Sequence, residues 1–189
     1  MRTVGLGVVI ALSLTASASA EIFRTHVHGT AAIASFSDVS ADGCVETTGT
    51  LAAASSTNGT FAIVVAERWD YCAPDGPAGS FYAGGGDIAY SGNGLSSASA
   101  SGTVVAEEYT GRGLPPLTVE FELAFSGTGA VTATTSRFAS GGGGTTVSFT
   151  SSRSRNANIG GSISLDGDAA TASGGQLVAE VAGELVVVH

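Results

Sequence analysis

Residues 43–72 read GCVETTGTLAAASSTNGTFAIVVAERWDYC and hold the only two cysteines of the chain, Cys44 and Cys72. The stretch predicts one long antiparallel hairpin closed by a disulfide. Thr57-Asn58-Gly59 suits a three-residue loop, a type I turn ending in a left-handed residue, because glycine carries no Cβ penalty at positive φ. That loop sets Ser56 opposite Thr60. Continued along the ladder, the same count sets Cys44 opposite Cys72. Directly opposed residues at a non-hydrogen-bonded site lie roughly 4.5 Å apart at Cα, near the short limit for a disulfide.

Side chains alternate along a strand, so this register sorts the faces. Val45, Thr47, Leu51 and Ala53, with Phe61, Ile63, Val65, Trp69 and Tyr71, fall on the expected core face, and Arg68 falls outside. Glu67 is then the odd residue, a carboxylate on the core face opposite Gly49. Glu67, Trp69 and Gly49 are therefore the candidate pocket: an acid, an aromatic wall, and a glycine that leaves room for a ligand. A carboxylate held there would be desolvated, as a general acid needs. The simpler expectation is a structural acid that reaches water at a rim.

Outward from the hairpin, the chain begins MRTVGLGVVIALSLTASASA. One Arg, an apolar run and a small-residue site at Ala18-Ser19-Ala20 predict a secretory signal peptide over residues 1–20. The apolar run is too short for a membrane span. Residues 21–189 are expected to form one domain in an oxidising, extracellular location, which suits a stable disulfide. Taking 20 residues from 189 leaves 169, with no Lys and six Arg against sixteen acids, a net charge of −10. Such a surface repels phosphate backbones, so nucleic acid is not an expected partner.

Glycine and threonine punctuate every window, and apolar residues recur at period two rather than 3.6, so no amphipathic helix is expected. Leu117–Phe125 (LTVEFELAF) alternates most cleanly, with Glu120 and Glu122 outside. Further strands are expected at 22–36, 80–90 (broken by Gly84-Gly85-Gly86), 95–109, 130–138, 146–155, 159–165 and 176–188. Turns are expected at 73–77, Gly127-Thr128-Gly129 and Asp166-Gly167-Asp168. About ten strands at such spacing predict a single antiparallel sandwich or flattened barrel.

The chemistry such a chain could carry is thin. Glu120 and Glu122, with Glu107 and Glu108, have strand spacing compatible with a glycosidase pair, but residues i and i+2 reach that spacing automatically. Asp166-Gly167-Asp168 lacks the longer calcium-loop pattern and reads as a turn. His26 and His28 share a strand face, and His189 would join them if the terminal strands pair, yet spacing ties only two of the three. No Gly-x-Ser-x-Gly, HExxH or Walker sequence is present. No metal, cofactor or catalytic residue is assigned.

Gly43-Cys44-Val45-Glu46-Thr47, Trp69-Asp70-Tyr71-Cys72, Leu95-Ser96-Ser97-Ala98 and residues 117–129 (LTVEFELAFSGTG) together resemble a family of secreted bacterial proteins of uncharacterised activity. Its members share a Cys-Val-x-Thr strand, an Asp-x-Cys strand and a later Thr-Gly-Thr-Gly-like segment, often after a Trp. Here Phe125 stands at that Trp position and Ser126 replaces the first Thr. The resemblance implies export and a β fold, and carries no activity across. The expected function is a non-catalytic extracellular module, structural or binding a carbohydrate or other surface component. The alternative is a hydrolase using acids around Glu67.

Overall fold

The computed structural model describes residues 21–73, 79–141 and 144–188. The expected signal peptide and most of the 73–77 turn lie outside them, as does His189. Nine strands follow in order: β1 (Glu21–Val39), β2 (Val45–Ser56), β3 (Gly59–Asp70), β4 (Gly79–Gly84), β5 (Asp87–Asn93), β6 (Ser97–Glu108), β7 (Leu117–Gly141), β8 (Gly144–Leu165) and β9 (Asp168–Val188). They form one antiparallel sheet in the order β4-β3-β2-β1-β9-β8-β7-β6-β5, and β4 also pairs β6, so the sheet closes on itself. The fold is all-β and antiparallel as expected, in its barrel form. The described residues hold no helix, hence none long and apolar enough to cross a membrane.

The ring is uneven. β4 and β5 share one position in it, both antiparallel to β6, with a one-residue offset at Gly85-Gly86. Both glycines have positive φ, 130° and 120°, which makes the offset accessible without strain. Above the ring the wall thins. The β6–β7 ladder stops at Ser97–Ser126 and the β1–β2 ladder at Gly29–Ser56. β7–β8, β8–β9 and β9–β1 continue to Gly141, Val188 and Glu21. A four-stranded sheet therefore rises past the rim.

One expected turn, and one expected break between strands, are instead irregularities inside long strands. Gly127-Thr128-Gly129 lies within β7, where the ladder with β8 shifts between Thr128 and Thr132 and Gly129 has φ 70°. The β8–β9 ladder likewise shifts between Ala157 and Ile163, joining the two expected strands into one. Asp166-Gly167 is a turn, as expected.

The Cys44–Cys72 disulfide is present, with a Cα–Cα distance of 5.2 Å. The register that led to it is corrected by one residue. Ser56 pairs Gly59 across a two-residue Thr57-Asn58 turn, and the ladder runs to Val45–Asp70, with the cysteines just beyond its end. A one-residue slip turns a strand over. β3 thus sends Ala62, Val64 and Ala66 inside and Phe61, Ile63, Val65, Glu67 and Trp69 outward, while β2 keeps Thr47, Leu51 and Ala53 inside as expected.

The physical reason is space. The interior of so narrow a barrel is filled by side chains and accepts mixed large and small residues rather than large ones throughout. Phe36, Phe81, Leu51, Leu117, Leu123 and Leu177 fill it, interleaved with Ala32, Ala34, Ala53, Ala62 and Ala66. With the strand turned the other way, Ile63 would stand in place of Ala62, Glu67 in place of Ala66 and Trp69 in place of Arg68, which would overfill the interior and bury a carboxylate. Gly49 belongs to this packing, since a Cβ there would collide with the Phe36 ring. Residues 117–125 alternate as expected, with Leu117, Val119, Phe121, Leu123 and Phe125 all buried.

Candidate functional site

The corrected register moves the candidate residues. Glu67 is exposed on the outer surface, so its expected place on the core face does not hold. It pairs Thr48 on one side and Ser80 on the other, whereas Gly49 pairs Ala66. Glu67 and Gly49 still border one shallow depression of about 440 Å³, with Thr48, Thr50 and Val65. Trp69 lies two residues along β3, opposite Glu46, and does not line it.

Turning β3 over builds a larger feature outside. Thr50, Val65, Tyr82 and Glu107 form one cross-strand row over β2, β3, β4 and β6. The next row is Thr48, Glu67 and Ser80, extended by Tyr109, whose N–H donates to the Ser80 carbonyl at 3.0 Å. Glu46 and Trp69 come next, and the Tyr71 hydroxyl donates to Glu46 Oε2 at 2.7 Å. That hydrogen bond is the main reason the Tyr71 phenol is pushed above its ordinary range.

Eight large apolar or aromatic side chains are exposed among the described residues, and six of them, Val65, Trp69, Tyr71, Tyr82, Val105 and Tyr109, lie on this face. Tyr82 is placed by a glycine. A Cβ on Gly84 would come within 2.9 Å of the Tyr82 hydroxyl, so the ring lies back along the strand over Gly84. One ring face is packed against backbone and the residue remains 42% exposed. Sequence reading missed Tyr82, Val105 and Tyr109, although Tyr82-Ala83-Gly84 and Tyr90-Ser91-Gly92 both carry the signal, an aromatic two residues before a glycine. Tyr90 lies over Gly92 in the same way.

Below this face two polar arrangements hold the barrel end. Arg68, inside by the corrected register, donates from Nε to Thr47 Oγ1 at 3.1 Å and from Nη2 to Asp166 Oδ2 at 3.0 Å, with its guanidinium 5.4 Å from the Phe81 ring centre. Asp166 Oδ1 accepts from the Thr118 N–H at 2.8 Å, so the β8–β9 turn is tied to β7 and β3. Glu108 folds the loop after β6 onto itself. Hydrogen bonds from the Thr110 hydroxyl, above all, and from the N–H groups of Thr110, Gly113 and Arg112 hold its carboxyl below the ordinary range.

Glu120 and Glu122 are solvated. Glu120 stands between Thr103 and Ser164, and Glu122 between Ser101 and Ser162, all on the outer face. β1 and β9 do pair antiparallel, with His26 opposite Gly183 and His28 opposite Val181. Among the described residues no group of three His, Cys, Asp or Glu is placed to hold a metal ion. No protein-family model, curated protein or solved structure matches the chain.

Proposed function

We propose that the chain is an exported, non-catalytic binding module that holds a carbohydrate of a cell surface on the outer face of β2, β3, β4 and β6. The gathering of Trp69, Tyr71, Tyr82 and Tyr109 on that face carries the reading. Apolar residues scattered singly over a surface need no explanation, but a contiguous set among polar neighbours marks a contact surface. Flat aromatic rings stack on the apolar face of a sugar ring, and Glu46, Glu67, Glu107 and Thr48 beside them can accept or donate hydrogen bonds to hydroxyls. A disulfide at the end of the hairpin fits an oxidising compartment and supports export. The hydrolase alternative asks for a desolvated acid, whereas Glu67 stands in solvent and a Glu46 oxygen is engaged by Tyr71.

Profiling the mature chain against immobilised neutral oligosaccharides tests this. Trp69→Ala and Tyr82→Ala should each weaken retention about tenfold or more, as loss of an aromatic anchor does. Melting temperature should hardly move, because both side chains are largely outside the core. Absence of retention on any sugar, or retention indifferent to both substitutions, would refute the proposal.

A further inference from the structure

A second surface lies at the other end of the molecule, on different residues. The stretch from Leu123 to Leu165 contains no Asp or Glu, yet holds Arg137, Arg153 and Arg155, half of the six Arg beyond residue 20. In a chain with sixteen acids this is a marked local reversal of charge.

The fold puts these arginines on one face of the sheet that rises past the rim. Ala157 is buried inside the barrel, and β8 pairs β9 without a break from Gly144 to Ala157, so Arg155 and Arg153 share the inward-facing side. Arg155 pairs the fully buried Leu177. Arg153 pairs Ala133, and the unbroken ladder from Thr132 to Gly141 sets Arg137 on the same side as Ala133. The acids of β9 fall on the alternate positions, Glu180 opposite Ser152 and Glu184 opposite Ser148. Small residues surround Arg153, namely Ala133, Ala179 and Ser151. Arg137 and Arg153 are exposed, and Arg155 donates from Nε to the Gly129 carbonyl at 3.0 Å, which fixes its direction.

We infer that this face binds a linear anionic polysaccharide through uronate or sulfate groups. Strand geometry spaces Arg155 and Arg153 about 6–7 Å apart and Arg137 about 14 Å beyond Arg153, so the charges run in a line rather than converge on one small ion. Guanidinium groups pair carboxylate and sulfate oxygens through matched N–H forks. The net charge of −10 opposes the dense phosphates of nucleic acid and an anionic bilayer, whereas a polysaccharide with spaced charges can meet the Arg row and clear the acidic wall below. A second copy docking its acidic face here would make an open-ended head-to-tail chain.

Affinity electrophoresis of the mature chain through gels containing polygalacturonate, dextran sulfate or neutral dextran tests the inference. Retardation by at least one of the two polyanions is expected, weakening with added salt, and none by dextran. The double variant Arg137→Gln/Arg153→Gln should lose about tenfold in affinity for that polyanion, as two exposed ion pairs are removed. Arg112→Gln, in an exposed loop at the opposite end, and Trp69→Ala should bind it like wild type, which separates this site from the aromatic face. Both arginines are exposed, and an unchanged melting temperature would show that the double variant folds. No retardation by either polyanion, equal retardation of the double variant, co-flotation with phosphatidylglycerol vesicles in place of polyanion binding, or self-association abolished by the double variant would each overturn the inference.

Discussion

Val64 and Val65 are adjacent, identical in kind, and set on opposite sides of the barrel wall. Val64 is 0% exposed and Val65 is 43% exposed. Threonine matches valine in shape and strand preference, so Val→Thr at each position changes little besides one methyl for one hydroxyl. At Val64 that hydroxyl enters a core lined by Phe36, Leu51 and Phe81, where the backbone groups are already committed to the ladders. The cost of such a burial is about 1–3 kcal/mol. At Val65 the hydroxyl meets water, and a change within about 0.5 kcal/mol is expected. For a domain of this size about 2 kcal/mol corresponds to roughly 4–8 °C in melting temperature. Thermal and urea unfolding of both variants, followed by circular dichroism, gives the comparison directly. Trp69 supplies an independent readout, since an outward indole should be readily quenched by acrylamide in the native state. Should Val65→Thr be the costly substitution and Trp69 be protected, the strand is the other way up. The outer aromatic face would not exist, and the proposed function would fall with it.

Replacing Cys44 and Cys72 together with Ala should cost about 3–4 kcal/mol, because the bond closes a loop with a sequence separation of 28; equal urea midpoints under reducing and non-reducing conditions would contradict this. The pH dependence has a definite sign. The Asp42 carboxyl is held low by the Ser40 hydroxyl first and by the Cys44 N–H, and Glu108 by Thr110 and its loop. Depressed folded-state values mean that both contribute stability above the unfolded carboxylate range, about pH 4, and lose it as pH falls further. Asp42→Asn/Glu108→Gln should therefore lower the melting temperature at pH 7 more than at pH 3, and a uniform drop across that range would contradict the assignment.

Legibility in the sequence followed contrast between the two faces of each strand. Residues 117–125 pair large apolar residues with Glu120 and Glu122, so hydrophobicity alone fixed which side is buried. Residues 61–66 (FAIVVA) are apolar on both faces. There the deciding quantity is volume, and volume depends on the width of a barrel that no single strand reveals. The loop gave no help, since Gly59 serves a three-residue loop and a two-residue turn equally well; in the structure it is a ladder residue with φ 112°. Gly129 shows the same ambiguity, because a positive-φ glycine ends a strand or offsets one by the same local geometry. The disulfide was legible all the same, since cysteines one step past the ladder remain close enough to bond.

The candidate site was half legible for a related reason. Glu67 stands out as a charge amid apolar alternation, and Trp69 beside it as the only Trp, so the residues could be found while their direction could not. Their partners come from β4 and β6: the β3–β4 pairing sets Tyr82 beside Val65, and ring closure sets it beside Glu107. Once β3 faces outward, its half-buried Ile63 and exposed Val65 and Trp69 stop being core residues. They become a cost the chain carries in water, at a place where Arg68, Ala62 and Ala66 already satisfy the interior. Tyr71 is also held by Glu46, and Tyr82 lies over Gly84, whereas a strand that places alanines within has no packing need for Trp69 outside. On the proposed function, a sugar stacked on the exposed rings is what would offset that cost.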